Sequence, residues 1–292
     1  MFLVNAAAGT GTAPRRLGAL LARSPEVAAR SRIVRSSSAA ELDAALTLAG
    51  DEIPVAVGGD GSLHALVTLL DQRGELQRTI AVVPFGTGNA TAHTLGLRSA
   101  ALGMAALASG QTTTLDLIRT SIPHAPIALV SCSTGFESAF LRRYAAVRYR
   151  SRQWAGWSAL LLNVSKSMRG VSLVIDGVPW VTPDDLVHNV GLYNIPHYAF
   201  GKLMWRGVRA DDGVAVAAHV SSPLWYWNLM AFGITVPLER DTHDTRMPGV
   251  RTIRWRTAEL TTPTSLQVDG ESIDERHATL TVDHRALTII RA

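Results

Sequence analysis

Cysteine is almost absent from this 292-residue sequence, which contains only Cys132. A single cysteine excludes an intrachain disulfide framework and any zinc site built from several thiolates. No run reaches the about 18 uninterrupted apolar residues that a membrane-spanning helix needs. The first residues also lack a basic region followed by a long apolar segment, so we expect no signal peptide. These absences predict a cytoplasmic enzyme or binding protein.

Lysine is scarce as well, and arginine carries nearly all of the positive charge behind the net charge of +4. The excess is small, and neither a basic arm nor an aromatic–basic RNA motif is present, so we predict no nucleic-acid partner. Hydrophobic residues make up 47% of the chain and charged residues 18%. That composition is rich enough for a packed core and excludes an intrinsically disordered protein.

The sequence pattern changes near Leu115 and predicts two domains, residues 1–115 and 116–292. The first alternates short β-like runs with helix-like segments, which predicts a three-layer Rossmann-like α/β domain with a parallel sheet. The second has short alternating runs separated by Asp-Gly turns, which predicts an antiparallel β-sandwich-like domain. We expect one long amphipathic helix near residues 154–168, and we expect the last few residues to pack back on the first domain.

Three glycine-rich loops follow predicted strands of the first domain. They are Asn5–Gly11, Gly58-Gly-Asp-Gly-Ser62 and Pro84-Phe-Gly-Thr-Gly-Asn89. Glycine allows sharp turns and close approach to a ligand, and the carboxyl ends of parallel strands share one edge of a sheet. The sequence therefore predicts a nucleotide or phosphate site, although neither a Walker A motif nor a dinucleotide-binding fingerprint is present.

The pair Gly58–Ser62 and Pro84–Asn89 resembles the diacylglycerol kinase catalytic-domain family, which includes sphingosine and ceramide kinases. Further landmarks at Leu115–Leu117, Ser133–Phe136 and Gln267–Glu271 follow in the family's order, so the resemblance extends over nearly the whole chain. It implies an ATP-binding domain, a β-rich lipid-substrate domain and Mg²⁺-assisted transfer of the γ-phosphoryl group of ATP to a lipid hydroxyl. A diacylglycerol-like acceptor is favoured.

The resemblance also implies roles for individual residues. Asp60 is implied as the general base, with Glu271 as its rival. Contacts with ATP are implied for Asn5, Gly9, Gly58, Gly59, Gly61, Ser62, Gly86, Thr87, Gly88 and Asn89. Acidic positions near Mg²⁺ are implied for Asp116, Asp211 and Asp212.

Departures from the family pattern leave alternatives open. Ala139 stands where sphingosine kinases carry an acidic residue, which favours a neutral lipid over a sphingoid base. A sphingoid or ceramide kinase is the alternative within the family. Ala6 and Ala8 replace the usual proline and serine of the first loop, so we expect one contact with ATP to be weakened. A non-catalytic regulator that binds a nucleotide or a lipid is therefore an alternative. A soluble acceptor such as NAD is the other enzymatic alternative, because NAD kinases share the Gly-Gly-Asp-Gly loop.

Two segments are candidates for contact with a membrane surface, where the lipid substrate would be met. One is the aromatic run Pro223–Phe232, for which packing in the second domain's core is the alternative. The other is a set of arginines before Trp154, which a solvated basic face would explain equally well. The set consists of Arg142, Arg143, Arg148, Arg150 and Arg152. We therefore predict peripheral membrane association, and a homodimer remains possible.

Overall fold

The computed structural model describes residues 1–5, 11–147, 167–198, 201–224, 235–238, 245 and 247–292. The chain forms two compact units. The first comprises Met1–Leu115, His197–Lys202 and Arg285–Ala292. The second comprises Asp116–Pro196 and Leu203–His284.

A parallel four-stranded sheet forms the centre of the first unit. Its strands are β1 (Phe2–Asn5), β2 (Ile33–Ser36), β3 (Val55–Gly58) and β4 (Ala81–Pro84), in the spatial order β2-β1-β3-β4. The helices are α1 (Ala13–Leu21), α2 (Pro25–Ala29), α3 (Ala39–Ala49), α4 (Asp60–Gln72), α5 (Ala90–Thr94) and α6 (Ala100–Ser109). The strand order reverses between β1 and β3, and open α/β sheets bind ligands beyond the carboxyl ends of their strands at such a reversal.

Local sequence signals explain where these helices begin and end. The sequence pattern predicts one helix over roughly residues 15–29. The structure has two, because Pro25 cannot continue α1 and instead occupies the first turn of α2. The serine run at residues 36–38 predicts a helix cap, and the Ser38 side chain accepts a hydrogen bond from the Glu41 main chain and caps α3. Gly110 predicts a helix stop, and it ends α6 with φ of 66°.

Most of the remaining strands belong to the second unit, and a few lie wholly or partly in the first. They are β5 (Thr112–Thr120), β6 (Ile127–Ala128), β7 (Ser131–Gly135), β8 (Ser172–Ile175), β9 (Val178–Val181), β10 (Asn189–Tyr193), β11 (His197–Tyr198), β12 (Lys202–Leu203), β13 (Trp205–Arg206), β14 (Ala215–Val220), β15 (Val236–Pro237), β16 (Val250–Trp255), β17 (Thr257–Thr261), β18 (Leu266–Val268), β19 (Glu271–Ile273) and β20 (His277–Ile290). One helix, α7 (Phe136–Val147), follows β7.

Two six-stranded sheets build the second unit, in the orders β16-β14-β10-β7-β18-β19 and β6-β5-β20-β17-β8-β9. Their pairings are antiparallel, as at β10 with β14 and β17 with β20. Leu192 from the first sheet and Leu173 and Leu260 from the second are completely buried in one hydrophobic core. A parallel α/β unit and an antiparallel sandwich unit confirm the predicted fold class.

Some sequence predictions fall on segments that the structure does not describe. The predicted helix near 154–168 lies outside the described residues apart from its end, where Met168 forms an isolated β-bridge with Val187. Most of the aromatic run Pro223–Phe232 and the arginines from 148 onward also lie outside them. Helix α7 was not predicted. In the part of the chain that is described, no helix has the length and apolarity to cross a membrane.

Candidate functional site

The carboxylate of Asp60 joins two glycine-rich loops of the first unit. Asp60 is the first residue of α4, directly after β3, and its Oδ2 accepts a hydrogen bond from the Ala90 N–H at 2.9 Å. Its Oδ1 accepts one from the Thr91 N–H at 3.0 Å. Main-chain N–H groups at the start of a helix have no partner within that helix, so Asp60 satisfies two such donors of α5. The side chain is thereby held in one orientation.

Backbone contacts fix the same two loops against each other. The N–H groups of Phe85 and Gly86 donate to the Gly58 carbonyl at 2.8 and 3.2 Å. Asn89 has φ of 54°, and its Nδ2 donates to the Gly86 carbonyl at 2.7 Å. A Cβ added at Gly86 would overlap the Gly59 Cα and lie 2.7 Å from Asn89 Oδ1. Glycine at position 86 is therefore required for this packing.

Gly86→Ala is expected to lower the free energy of unfolding by about 1–3 kcal/mol, the usual cost of overpacking a close contact. Gly18→Ala in α1 is the matched control, because a Cβ there meets nothing within 4 Å. The control should be neutral or stabilising by up to about 1 kcal/mol, since alanine favours helix. Urea unfolding of both variants measures the difference, and equal stabilities would contradict the close packing.

The first loop meets the second through a side-chain contact. Asn5 ends β1, and its Nδ2 donates to Ser62 Oγ at 3.2 Å. Gly9 lies outside the described residues. The other predicted ATP contacts lie in the first unit, at or after the carboxyl ends of β1, β3 and β4: Asn5, Gly58, Gly59, Gly61, Ser62, Gly86, Thr87, Gly88 and Asn89. Their contact with ATP stays a prediction.

Glu271, the rival base, belongs to the second unit. It is exposed and begins β19 after a turn in which Asp269 has φ of 48°. The Asp269 carboxylate accepts hydrogen bonds from the N–H groups of Leu129, Val130 and Ser131 at 2.7, 2.8 and 3.0 Å. Asp269 thus holds the turn that presents Glu271, and the choice between Asp60 and Glu271 as base stays a prediction.

The three predicted metal-binding residues each have their own hydrogen-bond partners in the structure. Asp116 is completely buried; its Oδ2 accepts a hydrogen bond from the Gly213 N–H at 2.7 Å, and its Oδ1 lies 3.0 Å from His284 Nδ1. Asp211 pairs with Arg209 at 3.1 Å, and Asp212 Oδ1 lies 3.4 Å from the Val214 nitrogen.

Among the residues with described positions, no group of three or more His, Cys, Asp or Glu side chains is arranged to hold a metal. Mg²⁺ binding by Asp116, Asp211 and Asp212 therefore stays a prediction, and no chemical step is derived from it.

A buried polar cluster in the second unit was not predicted from the sequence. Glu137 is 3% exposed; its Oε1 accepts a hydrogen bond from the Tyr193 hydroxyl at 2.6 Å, and its Oε2 accepts one from the Ser133 hydroxyl. Gln267 Nε2 in turn donates to Ser133 Oγ at 2.7 Å. Burial, together with the nearby carboxylates of this cluster and of Asp269, raises the pKa of the Cys132 thiol to about 12. Cys132 is thus a neutral core residue.

His197 packs beside α5 within the first unit. Its Nδ1 lies 3.1 Å from Thr94 Oγ1, and its ring centroid lies 6.0 Å from that of His93. Burial lowers the pKa of His197 to about 4, with smaller contributions from the charges of His93 and Arg98. The imidazole is therefore neutral at pH 7 and supports the helix whose first N–H groups hold Asp60.

The stability of the first unit is expected to fall as the pH drops from about 6.5 to about 4. The unfolded chain binds a proton on this histidine near pH 6.5 and the folded chain only near 4, so protons favour the unfolded state in between. His197→Gln should flatten this part of the pH profile, and exposed His277→Gln should leave it unchanged. Thermal unfolding across this range is the measurement; parallel profiles for wild type and His197→Gln would contradict the expectation.

The chain is similar to known proteins both in sequence and in fold. Residues 1–120 match the family model of the diacylglycerol kinase catalytic domain. The fold is similar to that of a diacylglycerol kinase from Bacillus anthracis str. Sterne, with a TM-score of 0.72 and 17% identity, covering 100% of this chain and 96% of that one. It is also similar to an NAD kinase from Archaeoglobus fulgidus in complex with ATP, with a TM-score of 0.52 and 13% identity, covering 99% of this chain and 92% of that one.

A search of curated proteins found no match. The structural similarity confirms the predicted fold class. The predicted resemblance to the family is confirmed by the match over the segment that carries both glycine-rich loops. The first 120 residues of this chain are therefore similar to the diacylglycerol kinase catalytic-domain family.

Proposed function

We propose that this protein is an ATP-dependent lipid kinase, a phosphotransferase that acts on an alcohol group. It transfers the γ-phosphoryl group of ATP to the hydroxyl of a diacylglycerol-like lipid. The observation that carries the proposal is the Asp60 carboxylate, fixed by the Ala90 and Thr91 N–H groups where two glycine-rich loops meet. The family match over residues 1–120 supports the same assignment.

Phosphoryl transfer depends chiefly on positioning and charge neutralisation, which a rigid loop pair is suited to provide. In the proposed reaction the glycine-rich loops hold the phosphates of ATP through main-chain N–H groups. A magnesium ion bound to ATP would neutralise part of the charge on the phosphate oxygens, and no step here depends on a protein ligand to it. Asp60 accepts the proton of the lipid hydroxyl as its oxygen attacks the γ-phosphorus and ADP leaves. Each carboxylate oxygen has two lone pairs, so the bonds from α5 orient Asp60 without blocking this role.

The surroundings of the Gly135–Phe136 landmark support a neutral acceptor. A sphingoid base carries an amine, which would pair with an accessible carboxylate. Ala139 is uncharged, and the Glu137 carboxylate is buried and bonded to Ser133 and Tyr193. A lipid whose headgroup is a plain hydroxyl needs no such partner. The enzyme would meet this lipid by peripheral association with a membrane surface.

A soluble acceptor is the second candidate. The fold is similar to that of an NAD kinase in complex with ATP, and both proposals place ATP at the glycine-rich loops. The two functions differ only in the acceptor hydroxyl, so a direct competition between acceptors separates them.

The test uses the purified full chain with γ-labelled ATP and Mg²⁺. Mixed micelles present diacylglycerol, monoacylglycerol, ceramide or sphingosine, and NAD serves as the soluble acceptor. We expect label in diacylglycerol, and no label when Asp60→Asn replaces the wild type. Label in NAD alone would support the soluble-acceptor kinase. ATP binding without label in any acceptor would instead support a non-catalytic regulator.

A further inference from the structure

Arg16 is stacked on an aromatic ring at the carboxyl edge of the parallel sheet. Its Cζ lies 4.7 Å from the centroid of the Phe85 ring. Phe85 is 4% exposed, whereas Arg16 is exposed. A cation–π contact uses the flat face of the guanidinium and leaves the N–H groups at its rim able to donate. The ring thus restrains the cation without satisfying its donors.

The position of this pair follows from contacts already described. The Phe85 N–H donates to the Gly58 carbonyl, and the next residue, Gly86, packs against Gly59. Arg16 lies near the start of α1, the helix that follows the first glycine-rich loop. All three loops follow parallel strands at the same sheet edge. The guanidinium is therefore held beside the loop after β4, which packs against the loop after β3.

The two glycine-rich loops beside Arg16 carry no positive charge of their own. Gly58–Ser62 and Pro84–Asn89 contain no lysine or arginine, and Asp60 adds a negative charge that repels phosphate. A nearby cation from the protein would offset this repulsion and would add to the attraction from main-chain N–H groups. Arginine binds two phosphate oxygens at once through its planar fork of donors.

We infer that Arg16, ordered by Phe85, binds the phosphate tail of the nucleotide and so determines affinity for a triphosphate. The inference rests on the proposed function in taking ATP as the physiological ligand. The ligand chemistry itself is a polyphosphate, which can be tested without any acceptor lipid.

The test compares Arg16→Ala with Arg15→Ala, because Arg15 is the adjacent exposed arginine and its loss changes the net charge equally. Isothermal titration calorimetry measures binding of Mg-ATP, tripolyphosphate and adenosine. We expect Arg16→Ala to weaken ATP and tripolyphosphate binding about tenfold, the effect of a charge-assisted hydrogen bond. Adenosine binding should not change, and Arg15→Ala should stay within about twofold of wild type for every ligand.

Two further variants separate the roles of charge and stacking. Arg16→Lys keeps the charge but lacks the planar fork, so it should recover only part of the lost affinity. Phe85→Leu keeps an apolar side chain but removes the ring, so it should weaken ATP binding by less than Arg16→Ala does. Thermal unfolding of each variant checks that the fold is retained.

The outcomes distinguish this inference from the proposed function. Wild-type affinity in Arg16→Ala, or equal losses in both alanine variants, would overturn the inference alone. Arg16-dependent binding of tripolyphosphate by a protein that labels no lipid would uphold the inference and overturn the lipid-kinase proposal. Failure of the wild type to bind either ATP or tripolyphosphate would overturn both.

Discussion

Asp60→Asn is expected to lower kcat by about 10²–10⁴-fold while the chain remains folded. An asparagine has nearly the same shape but lacks the charge and basicity that a proton acceptor needs. It also offers only one acceptor oxygen, whereas the Ala90 and Thr91 N–H groups now donate to two. Turnover with labelled ATP and diacylglycerol micelles, together with thermal unfolding, is the measurement.

Asp51→Asn provides the control, because Asp51 is exposed in the loop before β3 and its loss removes the same charge from the same unit. The control should keep wild-type turnover. Unchanged turnover in Asp60→Asn would remove Asp60 as the base. Glu271→Gln would then be expected to lower kcat instead, since Glu271 is the other candidate base that the sequence predicts.

Glu137→Ala is expected to destabilise the second unit by about 3–5 kcal/mol. The change leaves the buried hydroxyls of Tyr193 and Ser133 without their shared acceptor, at about 1–3 kcal/mol for each unsatisfied group, and opens a cavity. The midpoint of thermal unfolding should fall by about 10 °C for a unit of this size. Calorimetry is the measurement.

Two comparison variants define the cause of this loss. Glu259→Ala removes an exposed glutamate from β17 in the same unit and should change stability by less than about 0.5 kcal/mol. Glu137→Gln retains an acceptor for Tyr193 and fills the same volume, so it should cost less than Glu137→Ala. A Glu137→Ala protein as stable as Glu259→Ala would contradict the structural role of the buried cluster.

The fold was predictable because its signals are local. Alternating strand and helix patterns predicted the parallel unit, Ser38 and Gly110 marked helix ends, and Asp-Gly turns marked the antiparallel strands. Pro25 signals the break between α1 and α2, but the helical pattern on either side of it predicts one continuous helix. The sequence did not predict α7 because the helix begins at Phe136, directly after β7 ends at Gly135. Gly135 is the one boundary signal between strand and helix, and it also fits a simple turn.

The site was predictable in part, because the glycine-rich loops carry a family motif and strand order implies a shared edge. The hydrogen bonds to Asp60 were not, since their donors are main-chain N–H groups 30 and 31 residues away that any residue type supplies. The Glu137 cluster depends on pairing of β7 with β10 and β18, and Tyr193 is 56 residues from Glu137 along the chain. Arg16 belongs to α1 and Phe85 to the loop after β4, so only the folded chain brings them together.

The last residues of the chain complete the sheet unit that contains the first. Ile80 donates to the Thr288 carbonyl at 3.0 Å, and its own carbonyl accepts from the Ile290 N–H at 2.9 Å. The segment matched by the family, residues 1–120, therefore lacks a part of its own folding unit. During synthesis the first unit cannot finish folding until Ile290 has been added, and the edge beside β4 stays unpaired until then. Such late, long-range closure slows folding and prolongs exposure to aggregation, so residues 1–120 expressed alone should be far less soluble than the full chain.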